Sequence, residues 1–150
     1  MSYKPDGYQD VIVNLTFKDS EAAAALYEKA LGGKDTQIMK ADNGWIMHGE
    51  ITVGDCKIFF NDEADFMPRK APTGQTHFSM YIYVDDVDAA YETAIANGMT
   101  SVFEPDTMFW GDRTAVVADP FHYVWTFSTK VSDPTPEEII AGQKAMMENM

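Results

Sequence analysis

The sequence predicts an α+β fold built from two copies of a βαβββ module and completed by a short C-terminal helix. Two long segments carry the same order of one strand-like run, one helical run and three further strand-like runs. Aligning Leu31-Gly32 with Asn97-Gly98 superimposes them with a period of about 66 residues. With 45% hydrophobic residues, the 150-residue chain can form one core, so we expect a single domain over 1–150.

The first module is predicted to occupy residues 8–62. Its helix has clear ends, because Asp19 or Ser20 can cap the first turn and Gly32 supplies a left-handed residue beyond the last turn. Apolar residues at helical spacing give this helix one buried face. The flanking runs alternate as strands do, and we place the four strands at 11–17, 36–41, 45–53 and 56–62.

The second module is predicted at residues 77–130. Asp86 can cap its helix and Gly98 can end it. Both faces of its first strand are rather apolar, with Met80 and Ile82 on one face and Tyr81 and Tyr83 on the other. One face can therefore pack on the helix while the other lines a cavity or contacts a partner. The four strands are placed at 78–84, 100–105, 113–120 and 123–129.

Two further segments join and complete the modules. Residues 62–76 contain Pro, Gly and charged side chains, which predicts a linker. A C-terminal helix is predicted within 133–150, because Thr135, Pro136 and Glu138 have the spacing of a capping box. One face of this helix, which can dock on the body or on a second subunit, carries Ile139, Gln143, Met146 and Met150.

Composition excludes several classes of function. A net charge of −13 argues against nucleic-acid binding, which needs a basic face. No window approaches the ~18 consecutive apolar residues of a membrane span. The N-terminus lacks a basic-then-apolar signal pattern, so we expect a cytoplasmic location. The single Cys56 rules out an intramolecular disulfide and a CxxC metal site.

Four stretches of the chain carry a likeness to a known family: LYEKALGG (26–33), WIMHGEITVGD (45–55), YIYVDDVDAAYETAIANG (81–98) and MFWGDRTAVVADPFHYVW (108–125). With the tail DPTPEEI (133–139), they resemble the vicinal oxygen chelate superfamily, which includes glyoxalase I, extradiol dioxygenases and the bleomycin and fosfomycin resistance proteins. The chain is most similar to the PhnB-like branch. This resemblance implies βαβββ modules that curl around a cavity, and a homodimer.

Two features of the family pattern are altered. The PhnB-like branch usually has Gly where His122 stands, so His122 must adopt a positive φ if the turn requires one. Metal-dependent relatives bind a divalent ion with His and Glu side chains, at positions that here hold Ile12, Phe59, Ser79 and Thr126. A shift of two residues offers Asn14, Asn61, His77 and Ser128 instead. Neither set is a good metal site, so we expect no bound metal. The sequence also lacks a glycine-rich loop of the kind that binds phosphate, so we expect no nucleotide cofactor.

His48 and Glu50 are the candidate catalytic residues. Their i, i+2 spacing puts both on one strand face. Inside a cavity, His48 could shuttle protons while Glu50 orients it. The alternative is a polar strand edge that faces solvent.

Six side chains are predicted to contact a ligand, namely Phe59, His77, Tyr81, Trp110, Arg113 and Trp125. Trp110 and Arg113 could grip an aromatic or anionic ligand at the cavity mouth. Alternatively, Arg113 makes an ordinary ion pair and Asp112 caps a turn. Trp125 could line the cavity or belong to the core.

Two functions fit these residues. The first is a metal-free protein that binds a small apolar or aromatic molecule in a sheet-lined cavity. The second is a lyase or isomerase that uses His48 and Glu50, with His77 as a further candidate. The sequence leaves open whether the chain is an enzyme.

Overall fold

A computed structural model describes residues 1–150. The elements follow in the order β1 (Asn14–Phe17), α1 (Ser20–Ala30), β2 (Lys34–Lys40), β3 (Ile46–Val53), β4 (Cys56–Asp62), β5 (Met80–Tyr83), α2 (Val87–Ala96), β6 (Thr100–Thr107), β7 (Asp112–Ala118), β8 (Val124–Lys130) and α3 (Pro136–Glu148). The α+β class, the two βαβββ modules and the C-terminal helix are confirmed.

The two sheets have the same topology. Their strand orders are β1-β4-β3-β2 and β5-β8-β7-β6, with a parallel pair at one edge and antiparallel pairs elsewhere. Asn14 lies opposite Phe59 in the first sheet, and Met80 lies opposite Trp125 in the second. In both modules a residue of the first strand therefore lies opposite the residue 45 positions later in the chain, so the two parallel pairs have the same spacing. Strand β1 is shorter than the predicted 11–17, although the carbonyl of Val13 still accepts a hydrogen bond from the Phe59 amide.

The helix ends follow the predicted capping residues. Asp19 accepts a hydrogen bond from the Ala22 amide, and Asp86 accepts one from the Ala89 amide. Beyond the helices, Gly32 and Gly98 have φ of 65° and 100°. Helix α3 has the complete predicted capping box. None of the three helices combines the length and hydrophobicity that crossing a membrane requires.

The core lies between each sheet and its helix and continues between the modules. Helices α1 and α2 pack on their own sheets and against each other. Tyr27 of α1 reaches into the second module, where its ring lies edge-on to Trp125 at 5.2 Å and its hydroxyl donates to Asp119 Oδ2 at 2.5 Å. The contact between modules is therefore both apolar and hydrogen-bonded.

The turns that close the modules differ in length. Val53 pairs with Cys56 across a two-residue turn between β3 and β4. Between β7 and β8, Ala118 pairs with Val124 across a longer loop in which His122 has φ of 75°. The positive φ expected at His122 is thus present.

Candidate functional site

A cleft of about 630 Å³ lies between the two modules. It is bordered by the segment that precedes β1, the β3–β4 turn and strand β5. Its lining side chains are mainly apolar, and the lining consists of Gln9, Val11, Val13, Val53, Gly54, Asp55, Cys56, Lys57, Ile58, Ser79, Met80, Tyr81, Ile82, Tyr83 and Trp125. The cleft therefore has the size and character of a small-molecule site.

Trp125 is both core and cleft lining, which were the two alternatives for this residue. It is 1% exposed and its indole Nε1 donates to Asp119 Oδ2 at 3.2 Å. Burial raises the pKa of Asp119, against the opposing effect of the hydrogen bonds from Tyr27, Tyr123, Trp125 and Phe121. The tryptophan ring is thus fixed rather than free to adapt to a ligand.

One wall of the cleft belongs to the N-terminal strap, which we define as residues 3–12. Gln9 holds the strap on β4, because its side chain donates to the Lys57 carbonyl at 2.6 Å and accepts from the Lys57 amide at 3.2 Å. The Lys57 ammonium also lies 4.7 Å from the Tyr8 ring centroid. The strap therefore lines the cleft and crosses the side of the first sheet that faces away from α1.

That side, the first outer face, is defined by Tyr8, His48, Glu50, Lys57 and Phe59. The Tyr8 hydroxyl donates to Glu50 Oε2 at 2.6 Å, His48 Nε2 lies 3.2 Å from Glu50 Oε1, and Lys57 Nζ lies 3.6 Å from Oε2. Burial works to raise the pKa of Glu50, but the hydrogen bonds from Tyr8 and His48 together with the charges of Lys57 and His48 outweigh it, and the pKa is lowered. Phe59 meets the His48 ring edge-on at 4.7 Å, so three of the predicted site residues form one cluster.

The corresponding second outer face is defined by Tyr81, Tyr83, Asp112 and Ser128. Asp112 is 8% exposed, and its Oδ2 accepts hydrogen bonds from the hydroxyls of Tyr83 and Ser128, each at 3.1 Å. The Tyr81 hydroxyl lies 3.0 Å from Ser128 Oγ and 3.5 Å from Asp112 Oδ2. The hydrogen bond to Asp112 raises the pKa of Tyr83. The Asp112 carboxylate thus accepts side-chain hydroxyls instead of capping a turn.

The other predicted ligand contacts lie elsewhere. Arg113 binds Asp88 at the start of α2 through two hydrogen bonds of 2.7 Å. Trp110 is 40% exposed and packs edge-on against Phe109 at 5.0 Å. His77 is exposed in the linker before β5. The structure brings neither Trp110, Arg113 nor His77 into the cleft lining.

The positions that match metal ligands in relatives do not converge as a donor set. Phe59 packs on His48, Ser79 lines the cleft, and Ser128 donates to Asp112. No group of three His, Cys, Asp or Glu side chains is placed to hold a metal ion. These residues therefore do not fit the metal centre of the metal-dependent relatives.

Sequence reasoning missed the strap and the role of Asp112. Strand alternation did place Tyr81 and Tyr83 on one face, but only the register of β5, β8 and β7 puts Asp112 and Ser128 on that face. No local signal pairs Tyr8 with Glu50, because the strap has no periodic pattern.

Comparison with known proteins agrees with this architecture. A family model described as Glyoxalase/Bleomycin resistance protein/Dioxygenase superfamily matches residues 10–127. The uncharacterized proteins Mb0911c of Mycobacterium bovis and Rv0887c of Mycobacterium tuberculosis are each 28% identical to the chain over 137 residues. These matches cover 88% of this chain and, respectively, 90% and 81% of those proteins.

Solved structures show the same fold at lower identity. TioX from Micromonospora sp. ML1 superimposes with a TM-score of 0.64 at 20% identity, covering 85% of this chain and 100% of TioX. A PhnB protein from Bacillus cereus superimposes with a TM-score of 0.62 at 13% identity, covering 81% of this chain and 99% of that protein. Because the family model spans most of the sequence, the chain belongs to the glyoxalase/bleomycin resistance protein/dioxygenase (vicinal oxygen chelate) superfamily.

Proposed function

We propose that the chain binds a small apolar or aromatic molecule in the cleft between its modules, without the metal of its metal-dependent relatives. The observation that carries this proposal is the cleft of about 630 Å³ with its mainly apolar lining. Small-molecule sites typically have volumes of roughly 300–1,000 Å³ and a few polar groups that orient the ligand. Gln9, Lys57 and Ser79 can supply such groups here.

Exposed apolar surface supplies the driving force. Val11 and Val13 line the cleft although they are 84% and 38% exposed, and the Tyr83 side chain is also largely exposed. A ligand that covers them gains about 25 cal/mol for each Å² of apolar surface removed from water. Met80 and Ile82 extend this surface toward the core.

Two finer assignments belong to the same proposal. The PhnB-like branch is supported by the sequence stretches that end each module and by the fold of the Bacillus cereus protein. A homodimer is supported by α3, which has no buried residue and exposes Ile140 and Met147.

Blocking the cleft tests the function. The neutral fluorescent probe N-phenyl-1-naphthylamine is expected to bind the wild-type protein saturably. Val13→Trp fills the cleft and should weaken binding at least about tenfold, a change measurable by fluorescence titration. Val102→Trp is the matched control, because Val102 has similar exposure (46%) on β6 and lies outside the cleft lining. Unchanged affinity of V13W, or equal weakening by both variants, would reject the cleft as the binding site.

A lyase or isomerase is the second candidate function, favoured by the 3.2 Å contact between His48 and Glu50. This pair could move a proton at a carbon next to a carbonyl group. NMR detection of deuterium exchange from solvent into a panel of 2-oxo acids tests it. Exchange should be lost in His48→Gln and retained in His77→Gln, whereas exchange that survives H48Q would exclude this role.

A further inference from the structure

The two oxygens of the Asp112 carboxylate have different surroundings. Oδ2 accepts the hydroxyls of Tyr83 and Ser128, with the Tyr81 hydroxyl nearby. No donor of the chain reaches Oδ1. Every buried side-chain nitrogen and oxygen in the chain has a hydrogen-bond partner. Because Oδ1 has none, this atom must retain some exposure to solvent.

No cation of the chain forms an ion pair with Asp112. Lys130 lies opposite Asp112 in the β7–β8 register, but its ammonium is paired with Asp133. The neighbouring Arg113 binds Asp88 on the helix side of the sheet. Asp133 chiefly raises the pKa of Lys130, with a smaller electrostatic contribution from Asp112. The hydrogen-bond partners of the Asp112 carboxylate itself are neutral hydroxyl groups.

Two aromatic rings accompany this carboxylate. Tyr81 and Tyr83 are 50% and 65% exposed, and their ring centroids lie 5.6 Å apart with an interplanar angle of 57°. The face of an aromatic ring attracts cations. The net charge of −13 further favours the approach of a positive ligand.

We propose that the second outer face is a binding site for an organic ammonium ion, whose N–H donates to Asp112 Oδ1 while its apolar body lies on the rings of Tyr81 and Tyr83. The hydroxyls of Tyr83 and Ser128 hold the carboxylate in a fixed position, so little side-chain freedom is lost on binding. Tyr81 and Tyr83 also line the cleft, so this site shares one wall with the proposed ligand site, whereas Asp112 and Ser128 lie outside the cleft lining. The contribution of the Asp112 carboxylate is therefore the part of the proposal that is separate from binding in the cleft.

Calorimetric titration with two probes of the same aromatic body tests this site. 1-Naphthylmethylammonium is expected to bind the wild-type protein more tightly than the neutral 1-naphthalenemethanol. Asp112→Asn should weaken binding of the ammonium probe about tenfold, the range of a charged hydrogen bond, and leave the alcohol unchanged. Asp65→Asn removes one charge from an exposed linker position and should change neither affinity.

Titration of the wild-type protein at rising salt gives a second measurement that does not rely on a variant. Raising NaCl to about 0.5 M should weaken binding of the ammonium probe and not that of the alcohol. Equal affinities for the two probes, an unchanged affinity in D112N, or salt-independent ammonium binding would each overturn the proposal. N-phenyl-1-naphthylamine carries no charge and should bind D112N as it binds the wild-type protein, so failure of the cleft proposal and failure of the ammonium site give different results.

Discussion

The two modules share strand order and the spacing of their parallel strand pairs, yet their outer faces differ in chemistry. In the first module, Glu50 is surrounded by Lys57, His48 and the Tyr8 hydroxyl of the strap. In the second, the Asp112 carboxylate accepts hydrogen bonds only from hydroxyl groups. The repeated backbone therefore allows a carboxylate on the outer face of each sheet. The side chains around that carboxylate determine whether it pairs with a cation of the chain or could bind a ligand.

The largest difference that we predict between the modules is in how much their closing turns contribute to the free energy of unfolding. Asp119 accepts hydrogen bonds from the Tyr27 hydroxyl, the Trp125 indole and two backbone amides. Asp119→Ala leaves these donors without a partner and should lower the free energy of unfolding by about 3 kcal/mol, as measured by urea denaturation. Asp55→Ala, in the exposed turn of the first module, should cost less than about 0.5 kcal/mol. Equal losses would show that the two turns are energetically equivalent.

The next difference is the residue that packs against the core phenylalanine of each sheet, Phe60 in the first and Phe127 in the second. A Cβ at Gly49 would lie 2.0 Å from the buried ring of Phe60, whereas the second module has Ala115 opposite Phe127. Gly49→Ala should therefore destabilise the protein by about 2 kcal/mol. The reverse change, Ala115→Gly, should cost only about 1 kcal/mol, through chain entropy and lost packing. If urea denaturation showed G49A to be neutral, the proposed close packing of Phe60 would be wrong.

The turns also differ in which residue carries a positive φ. Gly54 has φ of 62° in the first module, and His122 has φ of 75° in the second. A side chain in this conformation costs roughly 1 kcal/mol, so His122→Gly should raise the melting temperature while Gly54→Ala lowers it. Thermal unfolding followed by circular dichroism measures the change in melting temperature for both variants. A lower melting temperature of H122G would indicate that the His122 imidazole makes a compensating contact.

The smallest predicted effect is the pH dependence contributed by Glu50. Its pKa is lowered in the folded chain, so its stabilising contribution is present above the unfolded pKa of about 4.3 and is lost as pH falls through the lower folded value. Glu50→Gln should cost less than about 1 kcal/mol at neutral pH and nothing in strong acid. Urea denaturation at both pH values, with Asp65→Asn as the control, measures the difference. If the free energies of unfolding of E50Q and the wild-type protein differed by the same amount at both pH values, this prediction would be wrong.

Much of the fold followed from the sequence because its signals are local. Asp19 and Asp86 mark helix starts, and strand alternation separates Met80 from Tyr81. The repeat then supplied the topology of both sheets at once. The same rules placed His48 and Glu50 on one strand face, where the structure pairs them.

The rest of the candidate site depends on contacts between residues far apart in the chain. Tyr8 and Glu50 are brought together by a strap without periodicity, and Arg113 meets Asp88 only once α2 has packed on β7. Asp112 gains its hydroxyl partners from two other strands. Each contact needs the register and packing of several elements, which a single sequence does not specify.

The common strand order of the two sheets also has an evolutionary consequence. Every strand pair lies within one module, so a chain of roughly half this length could have built the same body as a symmetric pair of identical copies. In a single chain, the two halves are not bound by that symmetry. The bond from Tyr27 to Asp119 is not repeated in the opposite direction. Aligning the cap residues Asp19 and Asp86 places Ala94 at the position of Tyr27, and a short turn at Gly54 replaces the loop that carries Asp119. The single chain thus contains a contact between its modules that is made in one direction only.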